Sequence, residues 1–270
     1  MTRSAAPWHR GWRLLVTRPQ PQADEWVVRL QALGIDALAL PLQALVPLVD
    51  PAPLVQSWSE LQTAAAPGLV VFVSPGAVNH FFASAPAAAC WPSQVFAAVT
   101  GPGSSAALRA AGVPPACIME PPPDSAQFDS EALWNGMAGR NWQGLDAWVV
   151  RGDGGRDWLA ARLQCAGARV KFVQAYARVL PQWTWQQRQQ AETAHAQPQS
   201  QSWLFSSSQA LANLMQLLPG REWTQSLAWA THPRIAQAAR QAGFGTVHSV
   251  APRPEAVASA LTRSIQSGAP

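Results

Sequence analysis

An internal duplication constrains this chain more than any other feature of its sequence. The segment RLLVTRPQPQADEWVVRL at 13–30 resembles AWVVRGDGGRDWLAARL at 147–163, and Arg18 aligns with Arg151 at an offset of 133 positions. The same offset aligns the later motifs LVVFVSPGAV and SWLFSSSQAL without a gap. A constant offset held across separate motifs predicts that the chain consists of two copies of one structural unit.

Each copy alternates two kinds of periodicity. Short apolar runs such as LLVT and AWVVR are typical of strands buried on both faces, and amphipathic helical patterns follow them. Gly34 and Gly167 lie where the first helix of each copy is expected to end. Because strands and helices alternate with no hairpin signal, the sequence predicts two similar doubly wound parallel-sheet α/β domains.

Candidate binding residues cluster at the predicted carboxyl ends of strands, where ligands of doubly wound sheets collect. The loop RGDGGR combines flexible glycines with guanidinium donors just before a helix, which favours an anion. The residues expected to bind substrate are Arg18, Ser74, Gly101, Ser105, Arg151, Gly154, Arg156, Ser207, Thr231 and His232. Structural alternatives stay open. The serines cap helices, and the arginines are solvated at the surface or form a salt bridge between the lobes. Asp153 and Asp157 neutralise the arginines of the loop.

Composition excludes several classes of function. The net charge of +4 comes without a basic run interleaved with aromatics, so we expect no nucleic-acid partner. No window approaches the roughly 20 apolar residues of a membrane span, and the N-terminus lacks the pattern of a signal peptide. The 3 cysteines form no CxxC pair and the histidines have no metal-ligand spacing. We therefore predict a cytoplasmic protein without a metal.

Two alternatives from other classes remain at this point. The loop GPGSSA after the strand FAAV mimics a dinucleotide fingerprint, with Glu120 following at a suitable spacing, which suggests an NAD(P)-linked oxidoreductase. The duplicate loop, HPRIAQ, lacks both early glycines. A non-catalytic, two-lobed ligand-binding protein also fits the duplicated architecture.

The motifs as a set resemble those of the uroporphyrinogen-III synthase family. They run in order through nearly the whole chain: VTRP, FVSPGAV, VTGPGSSAALRAAGV, DSEAL, VVRGDGGRDWLAARLQCAGARV, QAYARVLP, FSSSQALANL and THPRIAQAARQAGF. The resemblance implies two α/β domains joined by a two-stranded β linker. Mapped onto this chain, it places residues 13–41 with 182–265 in one domain and 48–174 in the other. The linker strands are then 42–47 and 175–181, and the tails 1–12 and 266–270.

The resemblance also implies a reaction. Linear hydroxymethylbilane loses its terminal hydroxyl as water, and its ring D attacks through a spiro intermediate that recloses with ring D inverted, giving uroporphyrinogen III. This hydro-lyase cyclisation uses no cofactor, and its substrate is a small polycarboxylate. The family expectation is a monomer, with transient contact to the preceding enzyme of the pathway.

Two side chains acquire catalytic roles through the resemblance alone. Tyr176, the only tyrosine in the chain, matches a functionally important family tyrosine and is a candidate general acid. Ser104 occupies the position of a family threonine, although the aligned residue of the other copy, Ile235, carries no hydroxyl. The alternatives are a linker tyrosine with a solvated hydroxyl and a serine that caps a helix.

Overall fold

The computed structural model describes residues 12–64, 66–87, 89–122, 125 and 127–266. Its strands are β1 (Arg13–Val16), β2 (Ala37–Ala39), β3 (Ala44–Pro47), β4 (Gly68–Phe72), β5 (Val95–Val99), β6 (Ile118–Met119), β7 (Asp146–Arg151), β8 (Arg169–Gln174), β9 (Tyr176–Val179), β10 (Gln201–Phe205), β11 (Leu227–Ala230) and β12 (Thr246–Ser249). Its helices are α1 (Gln22–Ala32), α2 (Ala52–Thr63), α3 (Pro75–Ala83), α4 (Pro102–Ala110), α5 (Ser130–Met137), α6 (Trp158–Cys165), α7 (Trp185–Ala196), α8 (Ser208–Leu217), α9 (Pro233–Gln241) and α10 (Pro254–Gln266).

The described chain divides into two compact units. Unit 1 comprises the described residues up to Ala44 together with those from Val179 onward, and unit 2 comprises Leu45–Arg178. Unit 1 contains a five-stranded sheet in the order β12-β11-β10-β1-β2, and unit 2 one in the order β6-β5-β4-β7-β8. All neighbouring strands in both sheets pair in parallel.

The two sheets are copies of each other down to their register. β1 pairs with β10 from Arg13 opposite Gln201, and β4 pairs with β7 from Gly68 opposite Asp146. Asp146 lies 133 positions after Arg13, and Gln201 lies 133 positions after Gly68. The helices obey the same relation, since α2 and α7 begin and end 133 positions apart. The duplication and the two similar parallel-sheet units predicted from the sequence are therefore confirmed.

Apolar residues cover both faces of each sheet, as a doubly wound fold requires. In unit 1, Leu15 belongs to one buried cluster while its neighbours Leu14 and Val16 belong to another, because alternate residues of a strand face opposite sides. Unit 2 divides in the same way, with Val70 on one face and Val71 on the other.

A separate sheet of two antiparallel strands, β3 and β9, lies where the chain passes from one unit to the other. This matches the two-stranded linker that the family resemblance implies. The exact boundaries of the linker and of the two domains stay predictions. The tails 1–12 and 266–270, apart from Trp12 and Gln266, fall outside the described residues.

The composition of residues 197–202 predicts a surface loop, and the structure corrects this prediction. The Gln- and Ser-rich stretch 197–202 resembles a surface loop in composition, but β10 begins at Gln201, and Ser202 is fully buried. This strand lies at the centre of its sheet, between β1 and β11, so tertiary pairing overrides the polar composition. No helix among the described residues has the length and apolar character needed to cross a membrane.

Candidate active site

The predicted site residues of unit 2 follow adjacent parallel strands. Ser74 comes just after β4, Gly101 just after β5, and Arg151 ends β7, which pairs with β4. Because parallel strands end at one edge of a sheet, these residues share its carboxyl edge. Arg156 and Gly154 follow in the loop between β7 and α6.

Tyr176 is the most constrained side chain at this edge. It begins β9, is 1% exposed, and its ring belongs to the main buried cluster of unit 2. Its hydroxyl lies 3.0 Å from the Ser74 Oγ, and it accepts a hydrogen bond from the Arg178 Nη2 at 3.2 Å. The hydroxyl is therefore held by two protein partners, which argues against the alternative of a packed tyrosine with a solvated hydroxyl.

Gly152 makes room for the tyrosine ring. A Cβ on Gly152 would lie 2.6 Å from Cε2 and 2.9 Å from Cζ of Tyr176, closer than any real contact. A Cβ on Gly76, in α3, would lie 3.7 Å from Cε1 on the other edge of the same ring. The first glycine of the RGDGG loop therefore has a packing role that its sequence context did not reveal.

Arg178 is a residue of this candidate site that the sequence analysis did not identify. Its backbone N–H and its Nη1 both donate to the Asp153 Oδ1, at 3.2 and 3.4 Å, and Nη1 also donates to the Gly154 carbonyl at 3.1 Å. The loop thus anchors the guanidinium that donates to Tyr176. The sequence did contain a signal for this residue. Arg178 follows Tyr176 by two positions, and residues two apart in a strand face the same side.

The other arginines of this loop are paired with acids. Arg151 forms a salt bridge with Asp157 and stacks over Phe172, with the guanidinium 3.9 Å from the ring centroid. Arg156 donates twice to the carboxylate of Glu131, at 2.6 and 3.1 Å. Neutralisation by Asp157 is therefore confirmed for Arg151, whereas Arg156 pairs with Glu131, which the sequence did not single out. Their predicted contact with substrate stays a prediction.

The hydroxyls of the GPGSSA loop are buried. Gly101 is the N-cap of α4 in an extended conformation, so Ser104 does not cap this helix, and the capping alternative for Ser104 is wrong. Ser105 accepts a hydrogen bond from the Arg109 Nη1 at 2.6 Å, and Arg109 also pairs with Glu120. The carboxylate that the dinucleotide interpretation assigned to a ribose is therefore already engaged. The roles of Ser104 and Ser105 toward substrate stay predictions.

Helix capping explains the predicted hydroxyls and imidazole at strand ends. Ser74 accepts from the Ala77 N–H at 3.1 Å as N-cap of α3, and its copy Ser207 accepts from the Gln209 N–H at 3.2 Å in α8. The His232 Nδ1 accepts from the Arg234 N–H at 3.2 Å as N-cap of α9. Capping is thus confirmed for the two serines and is found at His232, where the sequence did not predict it; the roles of all three residues in binding stay predictions.

Arg18 differs sharply from its copy Arg151. It follows β1 in unit 1, is half-buried, and its guanidinium stacks 4.1 Å from the centroid of the Trp26 ring. Among the residues that the structure describes, no carboxylate pairs with it, and its buried Nε has no hydrogen-bond partner. Burial lowers the pKa of this guanidinium to about 10.

Thr231, which follows β11 in the same unit, donates its backbone N–H to the Phe205 carbonyl.

An imidazole completes the surroundings of Tyr176. The ring of His80, in α3, lies with its centroid 5.4 Å from that of Tyr176 and tilted by 33°. Burial lowers the pKa of His80, because the charged form loses hydration there. His80 is therefore neutral at pH 7, and the cation next to the tyrosine hydroxyl is Arg178.

No group of three histidine, cysteine or acidic side chains suited to a metal ion occurs among the described residues. The chemistry available at the carboxyl edge of unit 2 is therefore that of hydroxyls, a guanidinium and backbone donors. Such an arrangement can donate a proton and hold anions.

Comparisons with known proteins agree with this architecture. Residues 24–259 match the family described as Uroporphyrinogen-III synthase HemD. Over 95% of this chain and 99% of its own, a mutant uroporphyrinogen III synthase of the extremely thermophilic bacterium Thermus thermophilus is similar in structure, with a TM-score of 0.56 and 16% sequence identity. The Helicobacter pylori enzyme gives a TM-score of 0.54 at 12% identity, covering 94% of this chain and 99% of that one.

The fold and the family match define a two-unit α/β enzyme of tetrapyrrole biosynthesis. The chain belongs to the uroporphyrinogen-III synthase family, whose reaction is the cyclisation of hydroxymethylbilane to uroporphyrinogen III. The match does not favour the dinucleotide-dependent oxidoreductase or the non-catalytic binding protein.

Proposed function

We propose that this chain carries out the family's ring closure by protonating the leaving hydroxyl of the substrate at the carboxyl edge of unit 2. The observation that carries the proposal is the Tyr176 hydroxyl, which is bonded by Ser74 and by Arg178. Loss of a hydroxyl as water needs a proton, and the positioned phenol is the source proposed for that proton. The guanidinium then stabilises the charge left on the phenol oxygen.

Inversion of ring D requires a defined substrate conformation more than reactive side chains. Spontaneous closure gives the uninverted isomer, so the protein has to orient the reacting carbon atoms before closure, which is catalysis by orientation. Donors that bind the substrate carboxylates would supply that orientation. The other binding residues proposed are Ser74, Gly101, Ser105, Arg151, Gly154, Arg156, Ser207, Thr231 and His232, and Ser104 stays a proposed catalytic residue.

Arg18 is the guanidinium best suited to bind one substrate carboxylate. It is half-buried, stacked on Trp26, and unpaired with any acid of the described chain, whereas Asp157 already neutralises Arg151. A carboxylate bound at Arg18 would complete the hydrogen bonding of its Nε and form a charge-assisted pair.

We expect Arg18→Gln to raise KM by about 10- to 100-fold, the equivalent of about 1.5–3 kcal/mol for a hydrogen bond to a charged group. Arg151→Gln should raise KM much less, because its charge is already compensated. Steady-state kinetics with both variants checks this, and equal effects on KM would contradict the assignment.

The activity itself is tested by the isomer composition of the product. Purified protein is incubated with freshly prepared hydroxymethylbilane, the product is oxidised, and isomers I and III are separated by chromatography. We expect isomer III to exceed isomer I by far, because ring D is inverted only on the protein. Isomer I alone, formed at the rate of a blank without protein, would refute the proposed function.

The cellular location and the oligomeric state of the enzyme are also proposals. Cys90, Cys117 and Cys165 are free thiols, which suits a reducing compartment and supports the proposal of a cytoplasmic location. We also propose a monomer that receives its unstable substrate from the preceding enzyme of the pathway. Sedimentation of the purified protein at several concentrations tests whether it is a monomer.

A further inference from the structure

Tyr176 has the chemistry of a proton donor but is buried. Only 1% of the residue is exposed, and its ring edges face Gly152 and Gly76. Its hydroxyl is enclosed by Ser74 and Arg178. A group enclosed in this way does not touch a substrate that binds at the edge of the sheet.

The direction of the hydrogen bonds indicates where the tyrosine proton points. A guanidinium can only donate, so the phenol oxygen accepts from Arg178. Either hydroxyl can donate in the 3.0 Å hydrogen bond between the phenol and the Ser74 Oγ, and we assign the donation to the phenol, because Ser74 is its remaining partner. Asp153 and the Gly154 carbonyl hold Arg178 on its other side, which keeps the guanidinium in place as a donor to the phenol oxygen.

Ser74 is the residue through which this hydrogen-bond network can donate a proton to the substrate. Its oxygen accepts from the Ala77 N–H and from Tyr176, which uses both of its lone pairs. Its own proton is therefore the one in the network with no assigned acceptor. The residue is half-buried, so this proton lies nearer to solvent than that of Tyr176.

We infer that Ser74 is the catalytic residue that protonates the leaving hydroxyl, and that Tyr176 acts through it as a proton reservoir held by Arg178. This inference rests on the proposed function. The Ser74 proton passes to the leaving oxygen as the C–O bond breaks with its electron pair on oxygen, giving water and an azafulvene cation. Ser74 takes the Tyr176 proton in the same step, which leaves a phenolate beside the Arg178 guanidinium.

The cycle closes without an external co-reactant. When the final carbon–carbon bond forms, the free α-carbon of ring D loses its proton as the pyrrole regains aromaticity. That proton returns through Ser74 to the phenolate, so one proton is used and one is recovered. Arg178 is a positioning residue in this scheme, since it does not touch the substrate.

The test is a double-mutant cycle on the full-length enzyme with hydroxymethylbilane as substrate. Ser74→Ala and Tyr176→Phe are each expected to lower kcat by about 10²-fold, the scale of general acid catalysis, with KM little changed. Because the two groups act in series, the double variant should lose no more than the worse single variant. Ser74→Thr keeps both the hydroxyl and the cap and should retain most of the turnover.

Two further variants separate chemistry from folding. Thr184→Ala removes an equivalent N-cap from α7, where the Thr184 Oγ1 accepts from the Gln187 N–H at 3.2 Å, and should leave kcat unchanged. Ser74→Gly removes the hydroxyl but keeps a residue that caps helices well, so it serves if Ser74→Ala does not fold. Melting curves of all variants show which of them are folded.

Three results would overturn the relay: Ser74→Ala or Ser74→Gly with the kcat of wild type, a loss confined to KM, or losses that multiply in the double variant. A solvent deuterium isotope effect on kcat should also shrink in both single variants. The wild-type product keeps the two proposals apart. If wild type makes only isomer I, the proposed function fails, whereas isomer III from wild type and Ser74→Ala at equal rates removes the relay alone.

Discussion

Gly152→Ala is expected to lower turnover to uroporphyrinogen III by about 10²-fold, the penalty for misplacing a catalytic group by about 1 Å. The new methyl carbon would lie 2.6 Å from the Tyr176 ring and 3.1 Å from the Arg178 Cζ, so both side chains have to move. The hydroxyl would then lose its alignment with Ser74, 3.0 Å away in the native protein. We also expect overpacking to reduce the free energy of unfolding by about 1–3 kcal/mol.

The measurement is kcat together with the ratio of isomers I and III, compared at a temperature where the variant is folded. Gly136→Ala is the matched control, because Gly136 lies in α5 and a Cβ there meets nothing within 4 Å. That control should keep wild-type turnover and gain about 0.5–1 kcal/mol from helix propensity. Wild-type turnover in Gly152→Ala would show that the position of Tyr176 is irrelevant to catalysis.

Gly245→Ala should give the largest loss of stability among single methyl additions to this chain. A Cβ at Gly245 would overlap the carbonyl oxygen of Thr224 and lie 2.8 Å from its carbonyl carbon. Both contacts are with backbone, which cannot rotate away as a side chain does. The Gly245 N–H also donates to the Trp223 carbonyl at 3.1 Å, and Trp223 stacks on Phe244. We expect a loss of about 3 kcal/mol or more, at the upper end for overpacking.

Thermal unfolding followed by circular dichroism measures this effect. A loss of that size corresponds to a decrease in Tm of about 6–12 °C for a chain of this length. Gly243→Ala is the comparator, since Gly243 has φ +93° but no atom within 4 Å of its Cβ position. The Gly243→Ala substitution carries only the cost of placing a side chain in a left-handed conformation, about 1–2 kcal/mol. Equal losses in the two variants would show that the contact with Thr224 relaxes freely.

The fold was predictable because its signals are local. Each strand–helix unit shows its periodicity within a short window, and the offset of 133 positions places the same elements in both copies. Gly34 and Gly167 were read correctly as helix ends, and both adopt positive φ, at 84° and 91°. The start of β10 was missed, because Gln201 and Ser202 are polar residues buried only by their partner strands.

The site was predictable in location but not in its contacts. Sequence spacing brought Ser74 and Arg151 to one sheet edge, and the resemblance singled out Tyr176. The interpretation of RGDGGR as an anion-binding loop missed that Gly152 accommodates the tyrosine ring and that Asp153 anchors Arg178. These contacts join residues some 25 positions apart through the packing of β9, and no local pattern encodes them.

The copies have diverged where the chemistry is proposed. At the offset that relates them, Tyr176 corresponds to Gln43 and Gly152 to Pro19, although Ser74 keeps its counterpart in Ser207. Unit 1 therefore has the capping serine without the phenol or the glycine that accommodates it. Arg18 and Arg151 both keep the arginine, and Asp24 stands at the position of Asp157, but among the described residues only Arg151 forms the salt bridge.

The order in which the ribosome makes this chain follows from the pairing of β1 with β10. Unit 2 is one uninterrupted segment and can be completed while most of the other sheet does not yet exist. Arg13 emerges 188 residues before its partner Gln201, a wait of roughly 10–40 s at usual elongation rates. During that interval β1 has only β2 as a sheet partner, and the apolar residues on both of its faces lack most of their packing, which makes the nascent chain prone to aggregate.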